Sequence, residues 1–322
     1  MSNASIRIEQ LMLPTYPEPG KEEMPLFSEH RVHQRSTGRP YPNKVVLEVN
    51  RERKIERSYT VVHLENEYLD VLVLPEIGGR IFAARDKVTD YDFFYRQHVI
   101  KPGLIGALGS WISGGVEFNW PYHHRPSGFL PCDFETEECG DGSVICWLSE
   151  HDPIDRMKGM VGIVLRPGCA YLETRVKLCN RTPVTKSFLW WENAAVPVNE
   201  SYQIFFPKDV TYVNFHYLDS RISYPIAGDA TFNGIDMTTP RDISWHKNTK
   251  DATSYFACAS QYDFFGGYDH GLDCGVVHIG EDRDFSPVIA KALELGGYPQ
   301  DTLVPGMNGG SVVATGFAHH AV

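Results

Sequence analysis

Apolar and polar residues alternate with the period of a β-strand along most of this chain. Clear examples are VVLEV at 45–49, YTVVHL at 59–64, YLDVLVL at 68–74, AYLETRVKL at 170–178 and KSFLWWENAAV at 186–196. These segments are rich in β-branched and aromatic residues, and turn-forming residues separate them at short intervals. The pattern predicts an all-β fold of many antiparallel strands, most simply arranged as two stacked sheets.

The hydrophobic pattern also suggests how the chain is organised. Residues 14–43 are rich in Pro and charge, so we expect 1–44 to be an extended arm packed on the domain; a disordered leader is the alternative. Residues 45–280 carry the strand pattern and predict one β-sandwich domain. The remaining 281–322 form an atypical tail, in which VIAKALEL at 288–295 has the apolar stripe of an amphipathic helix.

Charge and cysteine usage narrow the choice of partners. The formal net charge of −11 argues against nucleic acid and anionic membranes as partners, because both require a basic surface. A neutral polar ligand such as a carbohydrate is compatible with it. The cysteines number seven and form no CxxC pair, which favours reduced, mostly buried thiols. Without an apolar leader or a membrane-spanning run, the sequence predicts a cytoplasmic protein.

One segment, GSWISGGVEFNWPYHHRP at 109–126, combines the side chains that a sugar site needs. Aromatic faces can cover the apolar face of a pyranose, and carboxylate, imidazole and guanidinium groups can bind its hydroxyls or move its protons. The alternative is a turn between strands, with its aromatic residues in the core and its histidines at the rim. The candidates in this segment are Trp111, Glu117, Asn119, Trp120, His123, His124 and Arg125.

Two further clusters carry similar chemistry. Trp191, Glu192 and Asn193 end a predicted strand, where they would form a hydroxyl-binding edge; the alternative is a core Trp beside a surface Glu. Tyr268, Asp269 and His270 follow a Gly pair in FFGGYDHG at 264–271, and in a loop the last two could reach one ligand. The alternative here is a turn whose Asp bonds its own backbone.

An arginine follows the tight turn in PEIGGRI at 75–81. Arg80 could clamp a hydroxyl or a carboxylate, or it could pair with Glu76. The adjacent His123 and His124 do not form a metal site by themselves, and no other cluster has ligand spacing. The chain also has no GxSxG elbow, P-loop or GxGxxG motif, so we expect neither a metal nor a cofactor.

Several long motifs, taken together, resemble a known family. The segments LENEYLDVLVLPEIGGRIFAARDK, KPGLIGALGSWISGGVEFNWPYHHRPSGFLP, RPGCAYLETRVKLCNRTP, FLWWENAAVPVNE and FFGGYDHG are similar to a bacterial family of uncharacterised domains that often precede tetratricopeptide repeats. That family resembles aldose 1-epimerase (galactose mutarotase). The resemblance implies a galactose mutarotase-like β-supersandwich with a carbohydrate-binding cleft on its concave face.

The resemblance also implies roles for particular residues. In mutarotases a histidine protonates the ring oxygen, and a glutamate takes the proton from the anomeric hydroxyl. His123 or His124 would then be the acid, Glu192 and Asn193 would belong to a second polar cluster, and Arg80 resembles the pocket arginine of sugar-phosphate epimerases.

The tail departs from the family pattern. The late-strand glutamate of mutarotases, in a segment resembling YIELMTG, has no counterpart after VVHIG at 276–280. We therefore expect the C-terminal strands to be incomplete and one catalytic carboxylate to be missing. A sheet edge left open in this way would favour a homo-oligomer.

The sequence thus predicts a protein that binds a mono- or oligosaccharide. The first hypothesis is an enzyme, either an aldose 1-epimerase-like isomerase or a glycoside hydrolase; the alternatives are a non-catalytic glycan-binding module and a structural β-domain. The catalytic candidates are His123, His124, Glu117, Glu192 and His270. The substrate-binding candidates are Arg80, Trp111, Asn119, Trp120, Arg125, Trp191, Asn193, Tyr268 and Asp269.

Overall fold

The protein folds almost entirely into β-strands. A computed structural model describes residues 3–17, 26–27, 40–41, 52–105, 109–121, 125, 127–152, 156–215, 221–228, 231–232, 235–236, 239–248, 253–257, 260–262, 264–280, 289–295 and 311–321. Within these ranges the only helical element is one 3₁₀ turn, His246–Asn248. The predicted all-β class is confirmed, while the predicted strand at 45–49 lies outside the described residues.

The strands are numbered in chain order. The first fourteen are β1 Ser5–Thr15, β2 Leu26–Phe27, β3 Pro40–Tyr41, β4 Ile55–Glu65, β5 Leu69–Leu74, β6 Arg80–Asp86, β7 Tyr91–Asp92, β8 Gly103–Ile105, β9 Gly109–Trp111, β10 Val116–Asn119, β11 Asp133–Glu138, β12 Val144–His151, β13 Met157–Leu165 and β14 Leu172–Asn180. The others are β15 Ser187–Pro197, β16 Tyr202–Phe205, β17 Tyr212–Phe215, β18 Arg221–Ser223, β19 Ile226–Ala227, β20 Thr231–Phe232, β21 Ile235–Asp236, β22 Arg241–Asp242, β23 Thr253–Ala257, β24 Phe264–Asp269, β25 Cys274–Ile279, β26 Ile289–Leu295 and β27 Ser311–Ala321.

The described residues form two compact units, which divide between Trp190 and Trp191. In the first unit, β1, β4, β5, β6 and β10 follow one another in an antiparallel sheet, and β7 pairs with β6. A second sheet, β11–β12–β13–β14, packs on the first through β12, which lies against β1 and β4. The core of this unit contains Leu13, Tyr59, Val61, Leu74, Ile77, Phe82, Ala83, Ile100, Ile112 and Phe129. Burial alternates along most of β5, where Leu69, Val71 and Val73 are buried and Asp70 and Leu72 are half-buried, as the period-two pattern predicts.

In the second unit, a three-stranded sheet, β16–β24–β25, contributes to a separate core. The buried members of that core are Val196, Tyr202, Ile204, Phe206, Val210, Val213, Ile222, Ala227, Ile243, Ala257 and Phe265. A longer run, β18–β17–β23–β26–β27, and two short pairs, β19–β22 and β20–β21, also belong to this unit.

The tail contributes two of those strands. Ile289–Leu295 was predicted to be helical, and this prediction is wrong: the segment is strand β26, paired with β23 on one side and β27 on the other. Short apolar runs fit a helix and a strand about equally well by periodicity, and ladder partners on both sides favour the strand.

The cysteines are only partly as expected. The described cysteines are free, yet only Cys146 is buried, while Cys179 is exposed. The pKa of Cys132, half-buried at the start of β11, is raised to about 11, chiefly by burial.

The predicted hairpin turn at Glu65–Asn66 is confirmed. β4 ends at Glu65, β5 begins at Leu69, and the buried side chain of Asn66 holds the turn between them. Its Oδ1 accepts hydrogen bonds from the backbone N–H groups of Tyr68 and Leu69, at 2.9 and 2.7 Å. This is the local bonding for which Asn is favoured in turns.

The same side chain also links the two sheets of the first unit. Asn66 Nδ2 donates to the carbonyl oxygens of Arg166 and Cys169, at 2.7 and 2.8 Å, in the loop between β13 and β14. The Asn66 side chain therefore takes part in four hydrogen bonds, so the turn and the contact between the sheets depend on one residue.

We predict that Asn66→Asp lowers the free energy of unfolding by about 3 kcal/mol. The carboxylate keeps the two accepted bonds but replaces the amide donors with an oxygen that faces two carbonyls. Asn180→Asp is the matched control, because its side chain bonds the adjacent residues Thr182 and Val184. Urea denaturation of both variants provides the measurement, and equal losses would contradict the role assigned to Asn66.

Candidate functional site

The segment singled out from the sequence enters the first sheet through a glycine pair. Gly114 and Gly115 have φ values of 87° and 61°, in the left-handed region that favours glycine. A Cβ atom at Gly115 would overlap the carbonyl oxygen of Ile81. Val116, the next residue, pairs with Ile81, so this close approach places β10 directly beside β6.

Arg80 begins β6, and it is buried beside β10. Its Nη1 donates to the carbonyl oxygen of Ile112 at 2.5 Å, and its Nε has no hydrogen-bond partner among the described residues. Burial lowers the pKa of Arg80 to about 10; the Glu117 carboxylate opposes that shift and the Arg125 guanidinium adds to it. Since this pKa lies above neutrality, Arg80 carries a full positive charge next to Glu117 at neutral pH. The alternative pairing with Glu76 is not formed, since Glu76 accepts from the backbone N–H of Thr60 at 2.6 Å.

Arg125 holds together several segments around this arginine. Its Nε donates to the carbonyl oxygen of Phe118 at 2.9 Å, its Nη2 donates to the carbonyl of Gly78, and its Nη1 forms an ion pair with Glu150. Its backbone N–H donates to Asn119 Oδ1 at 2.9 Å. Every guanidinium nitrogen is therefore bonded within the protein, which makes Arg125 a scaffold for β10, β12 and the turn before β6.

The aromatic residues of the motif form an interior stack. The Trp120 and Trp190 rings lie 5.6 Å apart and nearly parallel, and Phe118 stacks on Trp190 at 6.1 Å. The guanidinium of Arg125 lies 4.3 Å from the centre of the Trp120 ring. Trp120 is 4 % exposed and Trp190 9 %, so both indoles lie in the core. A Cβ atom at Gly159, on β13, would overlap the Trp120 indole. The absence of a side chain at Gly159 therefore leaves room for the ring.

Three buried polar atoms near these residues remain unpaired among the described residues. They are Arg80 Nε, Asn119 Nδ2 and Ser127 Oγ. Buried donors without partners are rare in folded proteins, and an ordered water or a bound polar molecule is the usual explanation. This cluster can therefore donate hydrogen bonds to an oxygen-rich ligand.

Some predicted residues cannot be placed relative to this cluster. His123 and His124 lie outside the described residues. Trp111 ends β9, and its side chain is outside the described set. The other candidates of the motif, Glu117, Asn119, Trp120 and Arg125, are brought together with Arg80 in the first unit.

The second unit holds the remaining candidates. In β15, Trp191 and Asn193 are buried and Glu192 between them is half-buried. Asp269 is buried at the end of β24, where its Oδ1 accepts from the backbone N–H groups of Gly271 and Leu272 at 2.8 and 3.1 Å. The carboxylate thus bonds its own turn, which is the second of the two alternatives considered for it.

His270 and Tyr268 belong to a surface cluster that the sequence only partly indicated. The exposed His270 ring stacks on Trp245 at 4.9 Å and meets the edge of Tyr268 at 5.0 Å. Its Nε2 lies 3.0 Å from Gln203 Oε1. Trp245 and Gln203 were missed because they meet through strand register: Gln203 pairs with Tyr268 across the sheet and bridges to Trp245. No local motif carries that information.

Two other kinds of feature are absent from the described residues. No group of three or more His, Cys, Asp or Glu side chains has the arrangement of a metal site. No helix there is long and apolar enough to cross a bilayer.

Comparison with known families and structures gives consistent matches. A family model described as a domain of unknown function, DUF5107, matches residues 37–291. A tetratricopeptide-repeat protein from Parabacteroides distasonis matches 99 % of the chain with a TM-score of 0.80 at 20 % identity. The chain spans 53 % of that protein, or about half its length.

More distant structures share the fold. A protein from Synechocystis sp. PCC 6803 has a TM-score of 0.52 at 10 % identity, covering 81 % of this chain and 95 % of its own. A proposed aldose 1-epimerase from Klebsiella pneumoniae has a TM-score of 0.51 at 8 % identity, covering 81 % and 70 %. The galactose mutarotase-like fold expected from the sequence is confirmed.

We predict that Gly115→Ala lowers the free energy of unfolding by about 3 kcal/mol or more. The new methyl group would meet the Ile81 carbonyl, and alanine is strained at a positive φ. Gly140→Ala is the matched control, because nothing lies within 4 Å of its Cβ position. Thermal unfolding of the two variants should separate them clearly; similar midpoints would contradict the close approach of β10 to β6.

We also predict that Arg125→Lys lowers the free energy of unfolding by about 3 kcal/mol. A lysine ammonium cannot make all the hydrogen bonds of the planar guanidinium, and the partly buried Glu150 carboxylate would lose its bond to the guanidinium. Arg96→Lys, at an exposed arginine that pairs with Asp92 at 2.8 Å, should change stability by less than about 1 kcal/mol. Chemical denaturation measures both, and a mild effect at Arg125 would show that its bonds are not structural.

Proposed function

The chain belongs to the DUF5107 family of domains of unknown function. We propose that it binds a neutral saccharide and acts on its anomeric centre as an aldose 1-epimerase-like isomerase. The observation that supports this most directly is the buried Arg80 guanidinium beside Glu117, with unpaired donors on Arg80 and Asn119. Sugar hydroxyls and ring oxygens are acceptors for such donors, and a carboxylate held at the same place can take a proton.

The charge balance of this cluster favours a neutral sugar over an anionic one. Arg80 is accompanied by the charge of Glu117, and Arg125 is paired with Glu150. The two cations are thus matched by two carboxylates, which leaves no excess positive charge to hold a phosphate or a sugar acid. A carbohydrate-related role in general is also consistent with the fold that the chain shares with a proposed aldose 1-epimerase.

Mutarotation requires one acid and one base on opposite sides of a sugar ring. In this proposal Glu117 accepts the proton of the anomeric hydroxyl, and His123 or His124, six and seven positions further along the same segment, protonates the ring oxygen. Arg80 and Asn119 would bind hydroxyls and fix the ring. General acid–base help of this kind contributes roughly 10²–10⁴-fold in rate.

A glycoside hydrolase fits the described carboxylates less well. Hydrolysis needs two carboxyl groups about 5–5.5 Å apart for retention or about 6.5–9.5 Å apart for inversion. Glu150 is bound to Arg125, and Asp269 is bound to backbone N–H groups of its own turn. These two carboxylates are thus committed to structural bonds, whereas epimerisation needs only a single carboxylate as base.

A non-catalytic glycan-binding module is the second candidate. It is favoured by the surface cluster of the second unit, in which the Trp245 and Tyr268 rings lie beside the exposed His270. Aromatic rings at a surface are the groups on which sugars stack. Such a module would bind saccharides without turnover.

We predict that the purified protein accelerates the mutarotation of α-glucose or α-galactose, followed by optical rotation. Glu117→Gln should reduce the rate constant by about 10²-fold or more, because the amide cannot accept the proton. At least one of His123→Ala and His124→Ala should do the same.

His151→Ala is the control, because His151 is exposed at the end of β12 and should not affect the rate. An acceleration that survives the Glu117 substitution would remove Glu117 from the mechanism. Saccharide binding by calorimetry without any acceleration would favour the glycan-binding module.

A further inference from the structure

The outer strand of the three-stranded sheet has an open backbone edge. β25 (Cys274–Ile279) pairs with β24 through a regular register that runs from Phe264 opposite Ile279 to Asp269 opposite Cys274. No other described strand pairs with its far side. Within the described residues, the stretch from Gly275 to Ile279 therefore has no strand partner on that side, where its N–H and C=O groups could pair with another strand.

The outward face of β25 is apolar. Val276 and His278 face inward, where Val276 packs on the core and His278 lies 5.2 Å from the Phe265 ring. Val277 and Ile279 face outward and are 55 % and 69 % exposed. An antiparallel strand with one solvated face normally carries polar residues there, so this outward face is unusual.

The outer strands of the two longest sheets in the described residues carry charges that oppose pairing. β1 has Arg7 and Glu9, β11 has Asp133, Glu135, Glu137 and Glu138, β14 has Glu173, Arg175 and Lys177, and β18 has Arg221. Charged side chains on an edge strand are a common protection against association. β25 has no charged residue, since its sequence is CGVVHI.

The opposite edge of the same sheet is already covered. In β16, the N–H of Ile204 donates to the carbonyl of Ser244 at 2.8 Å, and Gln203 forms a bridge with Trp245. This coverage leaves β25 as the open edge of its sheet within the described part of the chain.

We propose that β25 pairs antiparallel with β25 of a second copy of this chain, about a two-fold axis at Val277. In this register Val277 faces Val277 and Gly275 faces Ile279, so the outward residues of the two copies become cross-strand neighbours, with Cβ atoms about 4.5–5.5 Å apart. The two sheets then join into one six-stranded sheet.

A second copy suits this edge better than an unrelated chain for two reasons. An edge related to itself by a two-fold axis supplies its own complementary surface and leaves no unmatched end. The chain also carries a net charge of −11, which repels an identical molecule everywhere except at an uncharged strip such as this one.

The size and the charge of the contact set its expected strength. One strand pair buries less than the 1,200–2,000 Å² that is typical of stable complexes, so the dimer should depend on concentration. Because salt screens the repulsion between the acidic bodies, dimerisation should strengthen as ionic strength rises.

Sedimentation velocity of the full chain over about a hundredfold range of concentration tests the proposal. The unsubstituted chain should pass from monomer to dimer, whereas Val277→Lys and Ile279→Lys should raise the dimer dissociation constant at least about tenfold. Val88→Lys is the matched control: Val88 is 72 % exposed in a turn, and its substitution should leave the dimer unchanged.

Oxidative cross-linking tests the register. In a Cys179→Ser background, which removes the exposed native thiol, Val277→Cys should give a disulfide-linked dimer on mild oxidation, because two-fold pairing brings the two sulfurs within reach. Val88→Cys in the same background, and the background alone, should not. Circular dichroism of every variant checks that the fold is kept.

Two results would overturn the proposal: a chain that stays monomeric over the whole range, or a dimer that withstands both lysine substitutions in folded protein. The inference does not depend on the proposed sugar chemistry, since mutarotation and dimer formation are measured separately.

Discussion

The first unit is organised around the need to keep two buried guanidinium groups bonded. Arg80 and Arg125 lie close enough that the positive charge of Arg125 lowers the pKa of Arg80, and a buried charge without compensation is very costly. Arg125 meets the requirement by bonding to Glu150 and to two backbone carbonyls, and these bonds tie together the turn before β6, the end of β10, and β12. Arg80 meets it only in part, with one carbonyl and a nearby carboxylate. The incomplete bonding of Arg80 is what distinguishes it, as the proposed ligand-binding group, from the structural Arg125.

Local sequence pattern was sufficient for the strands and for the turns whose residues act on their own neighbours. The Asn66 turn and the Asp269 turn both follow from short-range bonding, which a single sequence displays directly. The segment at 288–295 shows the limit of the same approach. Its apolar positions fit either periodicity, and its partners on both sides are far away in the sequence. Tertiary pairing decided its structure, and no local signal indicates that pairing.

In the candidate site, too, the sequence indicates the residues that are close along the chain but not those that are brought close by folding. The motif at 109–126 gave Glu117, Asn119, Trp120 and Arg125 correctly as neighbours, because most of them lie on or beside one short strand. It could not give Trp190 or Glu150, which contact the motif from β15 and β12. Nor could the sequence distinguish an arginine that is fully bonded within the protein from one with an unpaired donor. That difference depends on the count of acceptors around each group, which only the folded chain defines.

The contact between Gly159 and Trp120 implies that the side-chain size at one position cannot increase unless the size at the other decreases. The Trp120 indole fills the space that a Cβ atom at position 159 would need. Trp190 and Arg125 also contact this ring. A larger residue at 159 is compatible with this interior only if the ring at 120 shrinks in compensation. Positions 120 and 159 therefore behave as one steric unit, and an exchange of bulk between them is the evolutionary or engineered route by which this part of the interior can be rebuilt.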